Sequence, residues 1–395
     1  MRLTTSGVPV GLPGTLIGRI THRNVPEGER HERIRVLTEE VPSETLAGYR
    51  ALLTPLNPSS SRLPDIGVPL VHSLRDHDHL LDDFIITVEP TSGFVRTVYR
   101  PSSMHNSLFV TERCSSNCLM CSQPPKDKDD VDYFLKVNLE LIRLIAPGPE
   151  HLGITGGEPT LLGGKLLQIL ESLRDNCPTT HVDMLTNGRL FAWPEFTRRF
   201  CAVKHPSLIL GIPLYSDDAV THDYIVQAKH AFDQTVLGLH QLARWGQEVE
   251  IRVVLHRLSV PRLARLAEYI CRNLPFASHI ALMGLEPTGY TPRNKEKLWI
   301  DPTDYQDELE QAVEILSLHG MNVSIYNSQL CLLQPSLWKF ARKSISDWKN
   351  IYIPECRECG VLDQCGGLFQ SAERMHSGHI HALTPNKNIL ADTPI

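Results

Sequence analysis

Alternating strand and helix patterns between residues 107 and 289 constrain the fold of this chain more than any other feature of its sequence. Short apolar runs that end in polar or glycine residues predict six strands, at Ser107–Glu112, His151–Thr155, His181–Gly188, Leu208–Asp218, Val249–His256 and Ser278–Gly289. Helical spacing of apolar residues between them predicts helices at Val131–Ala146, Gly164–Asn176, Trp193–Val203, Ala228–Trp245 and Pro261–Asn273. This alternation favours parallel βαβ units and therefore an α/β fold.

Residues able to carry chemistry follow the ends of the first four predicted strands. They are the cysteines of RCSSNCLMC, the turn Gly156-Gly157-Glu158, the segment Thr186-Asn187-Gly188 and the pair Tyr215-Ser216. In parallel α/β folds the functional groups lie at the carboxyl edge of the sheet. The sequence therefore predicts that these four segments share one edge.

Cys114, Cys118 and Cys121 have the spacing C-x3-C-x2-C. Structural zinc sites and filled iron-sulfur clusters normally take four protein ligands, whereas a catalytic metal site keeps one position free. The missing fourth cysteine therefore indicates chemistry. Two alternatives stay open at this point: a zinc knuckle completed by a distant His or Cys, and three unrelated buried thiols.

With Gly-Gly-Glu after the second strand and the later strands in order, residues 105–290 resemble the radical S-adenosylmethionine (SAM) superfamily. The resemblance implies a partial, TIM-like (β/α)6 barrel in which Cys114, Cys118 and Cys121 hold a 4Fe-4S cluster. It also implies that SAM binds the open iron and is cleaved to a 5′-deoxyadenosyl radical, a step that the cofactors carry.

The resemblance further implies a set of residues that bind SAM. Gly156, Gly157 and Glu158 would hold the methionyl ammonium, Ser216 would contact the ribose and Arg252 would pair with the methionyl carboxylate. Ordinary turn and surface roles stay open for Ser216 and Arg252. The chain departs from the family at Met120, where an aromatic residue is common, so a thioether is expected to pack on the adenine.

A second cysteine group lies near the C-terminus, at Cys331, Cys356, Cys359 and Cys365. Four thiolates suit either tetrahedral zinc or a fully ligated iron-sulfur cluster. Beside a radical SAM core, the group resembles a twitch domain, a shortened SPASM module in which a hairpin and a helix surround one auxiliary 4Fe-4S cluster. Sequence does not separate an electron-accepting role of that cluster from a bracing one.

The sequence around both cysteine groups resembles, more specifically, the HxsC branch of the His-Xaa-Ser maturation system. The segments RCSSNCLMCSQPPK, HIALMGLEPTGYTP, SISDWKN and CGGLFQS carry this resemblance over nearly the whole chain. It implies a ribosomally made precursor peptide as substrate, a second radical SAM maturase as partner, and a reductant such as flavodoxin or ferredoxin. A crosslink to an unactivated side-chain carbon is the specific hypothesis.

Two rival functions stay in view. One is a radical SAM enzyme for a small molecule such as a nucleotide precursor, and the other is a non-enzymatic iron or zinc protein. Proton-transfer roles require geometry that sequence lacks. The candidates near the predicted edge are Glu286, Tyr215, His256 and Tyr290, of which Glu286 is the most attractive.

Composition predicts a cytoplasmic enzyme. The chain has 395 residues, a hydrophobic content of 42% and a net charge of −6, with no apolar run long enough for a membrane span and no basic excess that would indicate nucleic acid. The predicted domains are a β-rich or mixed domain at 1–104, the radical SAM core at 105–300 and the twitch-like iron-sulfur domain at 301–395. Asn57–Pro64 is predicted to be an exposed loop. His376, His379 and His381 are predicted to lie in a solvated tail, with metal binding as the alternative.

Overall fold

The computed structural model describes residues 3–40, 46–57, 67–344 and 349–384. The predicted loop at Asn57–Pro64 lies, apart from its first residue, outside these ranges. The chain divides into two compact units. The first comprises Met1–Leu108, Asp132–Leu152 and Glu171–Thr180, and the second comprises Phe109–Val131, Gly153–Leu170 and His181–Ile395.

The N-terminal part forms an eight-stranded mixed sheet, which confirms a β-rich or mixed fold there. Its strands are β1 (Thr4–Ser6), β2 (Val8–Val10), β3 (Leu16–Thr21), β4 (Arg33–Val36), β5 (Ala51–Leu53), β6 (Leu70–His72), β7 (Ile85–Val88) and β8 (Phe94–Tyr99). They lie in the order β1-β8-β7-β3-β4-β5-β6-β2, with β3 through β6 paired in parallel and the other pairs antiparallel. Alternate β-branched and leucine side chains, among them Ile20, Ile34 and Val88, pack into one core.

A second eight-stranded sheet follows in chain order. Its strands are β9 (Ser107–Phe109), β10 (His151–Thr155), β11 (His181–Leu185), β12 (Leu208–Pro213), β13 (Glu248–Leu255), β14 (His279–Gly284), β15 (Val323–Tyr326) and β16 (Ala341–Arg342). The order along the sheet is the order in the chain, and the pairs from β11 to β16 are parallel. This arrangement is consistent with a partial barrel of the radical SAM type.

The helices between these strands are α1 (Val131–Ile145), α2 (Gly164–Asn176), α3 (Pro194–Cys201), α4 (Ala219–Val226), α5 (Ala231–Arg244), α6 (Leu263–Asn273), α7 (Lys295–Leu298) and α8 (Gln306–Leu318). Apolar spacing predicts α1, α2, α3, α5 and α6, whereas α4, α7 and α8 are additional. In α6 the buried residues Leu263, Leu266, Ala267 and Ile270 recur every three or four positions, so one face of the helix is apolar. No helix in the described ranges is both long enough and apolar enough to span a bilayer.

The sequence predicts six strands for this sheet, but the sheet has eight. Strands β9 to β14 occupy the six predicted places, but α8 leads into β15, and β16 then extends the sheet to eight strands. The additional unit lies in the segment that the sequence assigned to the C-terminal domain. Apolar spacing in Gln306–Leu318 buries Leu309, Ala312, Val313 and Leu316, which forms one more βα repeat there.

The cysteine-rich C-terminal segment contains a short antiparallel hairpin of β17 (Lys349–Ile351) and β18 (Leu368–Phe369). The hairpin expected of a twitch-like module is therefore present. In the described residues after β16, the helical segments are single 3-10 turns, such as Pro354–Cys356 and Leu362–Gln364, in place of the expected helix.

Candidate active site

The loop carrying Cys114, Cys118 and Cys121 follows β9 and is held by backbone hydrogen bonds along its length. The end of α4 accepts two of them, from Asn117 N to Val226 O (3.0 Å) and from Leu119 N to Ile225 O (2.9 Å). The segment after β14 donates another, from Tyr290 N to Cys121 O (2.9 Å). The positions of the three cysteines are thus fixed by the fold around them.

Side chains that the sequence analysis did not single out also support this loop. Arg189 Nη1 donates to the carbonyl of Ser115 (2.6 Å) and to Ser116 Oγ (3.2 Å), and Asn294 Nδ2 donates to the carbonyl of Leu119 (2.7 Å). Asn187, from the predicted rim segment after β11, donates to Ser115 Oγ (2.9 Å). In the sequence, Arg189 is distinguished only by its position next to Thr186-Asn187-Gly188. This position does not separate it from an ordinary surface arginine.

The three thiols are unpaired and partly or largely buried. Burial raises the pKa of Cys114 to about 11, with a further increase from the charge of Glu158, whereas Arg189 acts in the opposite direction. Burial likewise raises the pKa of Cys118 and of Cys121, and repulsion from the neighbouring sulfurs adds to it at Cys118. Three such thiols become thiolates at neutral pH only beside a strong cation, so this donor set fits a metal centre.

The two glycines after β10 let that strand end approach the cysteine loop. A side chain at Gly156 would place its Cβ 2.6 Å from the Thr111 carbonyl oxygen, and one at Gly157 would lie 2.0 Å from the Arg113 oxygen. At this separation Gly157 N donates to Thr111 O and Glu158 N donates to Arg113 O, each at 2.7 Å. Glycine is therefore required by a close approach of two backbones.

Glu158 is 1% exposed and joins the ends of β10 and β11. Its Oε1 accepts hydrogen bonds from Thr160 N (3.0 Å), Thr160 Oγ1 (2.7 Å) and Thr186 Oγ1 (2.6 Å), and its Oε2 accepts one from Asn187 N (2.7 Å). A carboxylate offers about four acceptor positions. Most of the acceptor positions of the Glu158 carboxylate are therefore occupied by donors of the protein itself.

Ser216, which follows β12, and Arg252, which lies within the neighbouring strand β13, have partners of their own. Ser216 is fully buried, and its Oγ accepts from Asp218 N (3.3 Å) at the start of α4. Arg252 Nε lies 3.2 Å from Glu250 Oε1, and Glu250 Oε2 lies 2.6 Å from His279 Nδ1. Burial opposes ionisation of Glu250, but the His279 hydrogen bond and the Arg252 charge outweigh it and lower its pKa.

The side chain of Arg252 packs over Gly211 of the neighbouring strand, where the lack of a side chain leaves room for it. A Cβ at Gly211 would lie 3.0 Å from Arg252 Cδ and 2.9 Å from Leu185 Cδ2. Glu250, Arg252 and Val254 alternate in β13 with the fully buried Val249, Ile251 and Val253. Arg252 therefore belongs to the less buried, polar face of the strand, where a ligand could reach it.

Two of the four proton-transfer candidates are enclosed by the fold. Tyr215 packs with Leu119 and Met120 beneath the cysteine loop, stacks on His222, and has its pKa raised by burial and then by Cys118 and Cys121. His256 is 0% exposed, and its Nδ1 accepts from Leu258 N and Ser259 N, both at 3.2 Å. Burial lowers the pKa of His256 to about 4, so its ring is neutral at pH 7.

The other two candidates are half-buried and lie after β14. Tyr290 is tied to the cysteine loop through its backbone, and Glu286 lies four residues before it. Burial raises the pKa of Glu286, and the charge of Lys349 opposes this increase. Burial lowers the pKa of Lys349, while Glu286 acts in the opposite direction. Of the four, Glu286 best combines partial exposure with a pKa moved toward neutrality.

The second cysteine group comes together around one cavity. Cys331, Cys356, Cys359 and Cys365 all line a space of about 330 Å³, open mouth included, together with Ile351, Tyr352 and Leu368. The four thiols are unpaired. Burial raises the pKa of Cys331 and of Cys356, and the neighbouring sulfurs add to the increase. Four converging thiols in an apolar cavity fit a metal centre as well.

The prediction of a solvated, irregular tail around His376, His379 and His381 agrees with the exposure of the histidines but not with the burial of Ser377 and Ile380. The histidine rings of this segment are partly or largely exposed, but Ile380 is 7% exposed and packs with Leu332, Leu368 and Phe369. Leu383 N donates to Cys359 Sγ at 3.5 Å. The segment therefore packs on the second cysteine group, because apolar residues between the histidines bury there.

The central part of the chain matches a known protein family. Residues 108–270 match the family model of the radical SAM superfamily. No curated protein matches the chain. The folds of several solved structures are similar. Streptococcus suis SuiB bound to S-adenosylmethionine aligns at 15% identity and a TM-score of 0.46, over 57% of this chain and 51% of SuiB.

Two further similarities are of the same order. The structure of anSMEcpe with bound AdoMet aligns at 16% identity and a TM-score of 0.44, over 56% of this chain and 61% of that one. A radical SAM methyltransferase from Sphaerobacter thermophilus aligns at 13% identity and a TM-score of 0.41, over 61% and 69%. The chain thus spans about half the length of SuiB.

The family match includes the C-x3-C-x2-C loop, the Gly-Gly-Glu turn and the parallel strands β10 to β13 that carry the rim. The chemistry of this superfamily depends on a 4Fe-4S cluster and SAM. The segment 108–270 therefore belongs to the radical SAM superfamily.

Proposed function

We propose that this radical SAM enzyme modifies a ribosomally made precursor peptide of the His-Xaa-Ser type by forming a crosslink at a side-chain carbon. The radical half of the proposal is supported by the fixed loop that carries three free, partly buried thiols at the carboxyl edge of the parallel sheet. The peptide half is supported by the sequence resemblance to the HxsC branch around both cysteine groups.

Cys114, Cys118 and Cys121 would hold a 4Fe-4S cluster and leave one iron for SAM. When bound, the cluster would supply the electron for reductive cleavage of SAM, and SAM would supply the group that abstracts a hydrogen atom from the substrate. Arg189 contributes a fixed positive charge beside the thiolates. A flavodoxin or ferredoxin would serve as reductant.

Several residues would position SAM at this edge. Gly156 and Gly157 bring the β10 loop against the cysteine loop, and Glu158 fixes the β10 and β11 ends relative to each other. Glu158 retains little acceptor capacity for the methionyl ammonium, so we assign it mainly a positioning role. Arg252 would receive the methionyl carboxylate on its polar face, Ser216 would lie near the ribose, and Met120 belongs to the apolar layer beneath.

The cavity lined by Cys331, Cys356, Cys359 and Cys365 would hold the second, auxiliary 4Fe-4S cluster. Zinc and iron-sulfur sites both accept four thiolates, and the cluster is favoured because it lies in a radical SAM enzyme. Such a group would supply an acceptor for the electron that crosslink formation releases. Glu286 would accept the accompanying proton, since its raised pKa makes it a stronger base than an exposed glutamate.

A cleft near this edge is where part of the substrate would bind. It holds about 480 Å³, open mouth included, and its apolar lining includes Leu285, Pro287, Trp299, Phe369 and Met375. Asn327, Gln329 and Ser377 are among its polar residues, and polar and apolar atoms contribute equally to its exposed surface. The cleft therefore offers hydrogen-bond partners as well as apolar contacts.

Mass spectrometry of the precursor peptide tests this proposal. The peptide with His-Xaa-Ser repeats is co-expressed with the enzyme, and with the second maturase where one is encoded nearby. Each crosslink should remove a pair of hydrogen atoms from the peptide mass, and Glu286→Gln should reduce the modified fraction about tenfold or more. Epimerisation leaves the mass unchanged in H2O but adds deuterium in D2O. SAM cleavage with no change of peptide mass in either solvent would contradict the peptide substrate and favour a small molecule.

A further inference from the structure

The segment His376–Leu383, called here the C-terminal strap, is anchored before it reaches the auxiliary cysteines. Ser377 is 2% exposed, and its Oγ donates to Asp301 Oδ1 (2.9 Å) while accepting from His379 N (3.1 Å). Ile380 is buried against Leu332 and Phe369. A polar and an apolar anchor therefore define the path of the strap.

Beyond these anchors, a backbone amide of the strap reaches one of the four auxiliary sulfurs. Leu383 N donates to Cys359 Sγ (3.5 Å). Gly360 N, next to Cys359, donates in return to Leu383 O (2.8 Å). The contact at Cys359 arrives from a separate segment of chain, whereas Cys365 accepts from its own neighbour Gly367 N (3.5 Å).

Amides directed at thiolate sulfur have a predictable effect on an iron-sulfur centre. Reduction adds negative charge, part of which resides on the sulfur ligands. Hydrogen bonds from N–H groups stabilise that charge more in the reduced state than in the oxidised state, so they raise the reduction potential. The same strap covers the cysteines with the buried Ile380, which limits solvent access.

We propose that the C-terminal strap sets the reduction potential of the auxiliary centre by donating the amide of Leu383 to Cys359. The inference rests on the proposed function, because it requires an auxiliary 4Fe-4S cluster at these cysteines. Leu383 acts through its backbone amide, so it is a positioning residue whose side chain is not essential to the effect.

Proline substitution isolates the amide, since proline lacks the N–H group but keeps the carbonyl that Gly360 uses. The variants Leu383→Pro and Leu383→Ala are compared in a full-length chain that carries Cys114/Cys118/Cys121→Ala, so that only the auxiliary centre contributes to the spectrum. Its midpoint potential is measured by redox titration monitored by electron paramagnetic resonance.

In Leu383→Pro, the ratio of reduced to oxidised cluster at a fixed solution potential should fall about tenfold, which is about 59 mV for a one-electron couple. Leu383→Ala keeps the amide and should change the ratio less than twofold. Ser377→Ala, which removes the hydrogen bond that anchors the strap to Asp301, should shift the potential in the same direction and serves as the second variant if Leu383→Pro does not retain iron.

The outcomes separate the two proposals. An unchanged potential in Leu383→Pro, or in Ser377→Ala if Leu383→Pro loses its iron, overturns the role of the strap. Zinc, or an absence of iron, in the parent chain with an intact strap contradicts instead the auxiliary cluster of the proposed function. That result is visible before any strap substitution is compared.

Discussion

At the scale of single residues, the rim depends on side chains that bond to the protein itself. Glu158 accepts four hydrogen bonds from the ends of two strands, and Arg189 donates to Ser115 and Ser116 in the cysteine loop. These hydrogen bonds hold both charged side chains in place. The charges beside the thiols are therefore fixed before any cofactor binds, which avoids reorganisation when it does.

The first prediction concerns Glu158→Gln. An amide cannot accept at its nitrogen, so donors among Thr160, Thr186 and Asn187 lose their partner, at a cost of about 1–3 kcal/mol. The dissociation constant for SAM should rise about tenfold, and the thermal midpoint of the protein without SAM should fall. Equilibrium binding and thermal unfolding measure these quantities.

Thr186→Ser is the matched control, because it keeps the hydroxyl that donates to Glu158. It should bind SAM as the parent chain does. A Glu158→Gln protein with weaker SAM binding but an unchanged thermal midpoint would show that Glu158 acts through direct contact with SAM, against the positioning role.

At the scale of elements, the site consists of loops that meet where parallel strands end. The β10 loop touches the cysteine loop through Gly157, and the loop after β14 touches it through Gly289, whose φ is +59° and whose Cβ would lie 2.1 Å from Cys121 O. Neither position has room for a side chain. The cysteine loop therefore keeps its place through backbone contacts on two sides.

The second prediction is that Gly157→Ala displaces the cysteine loop. The new methyl group would overlap the Arg113 carbonyl, and relief of such a clash typically costs about 1–3 kcal/mol. Iron retained at the Cys114 site after gel filtration should fall markedly. Gly164→Ala is the control, since its Cβ would meet only Arg199 Nη2 at an ordinary 3.8 Å. Equal iron retention in the two variants would refute the packing argument.

At the scale of the whole molecule, local patterns predicted the elements but not their contacts. The predicted bounds of α2 and β10 match the structure because their apolar periodicity lies within the segment itself. The shared rim was predictable for the same reason, since the motifs directly follow strand ends, and Asn187 of one segment does contact Ser115 of another.

Other features depend on residues far apart in sequence. The roles of Asn294 at Leu119 and of Leu383 at Cys359 arise only when the chain has folded, and nothing in the local sequence distinguishes these residues from ordinary loop positions. The sequence analysis assigned the segment of β15 to the C-terminal domain, because its short apolar run Val323–Tyr326 directly precedes Cys331. Sequence thus identified the cysteines but not what surrounds them.

The most direct test of a SAM-binding cluster at the rim is the iron and acid-labile sulfide content per chain after anaerobic reconstitution. It is measured for the parent chain and for Cys114/Cys118/Cys121→Ala, together with 5′-deoxyadenosine formed from SAM. About eight irons should fall to about four, and 5′-deoxyadenosine formation should be lost. Zinc in place of iron, or a variant that keeps all of its iron and still cleaves SAM, would contradict the assignment of these three cysteines.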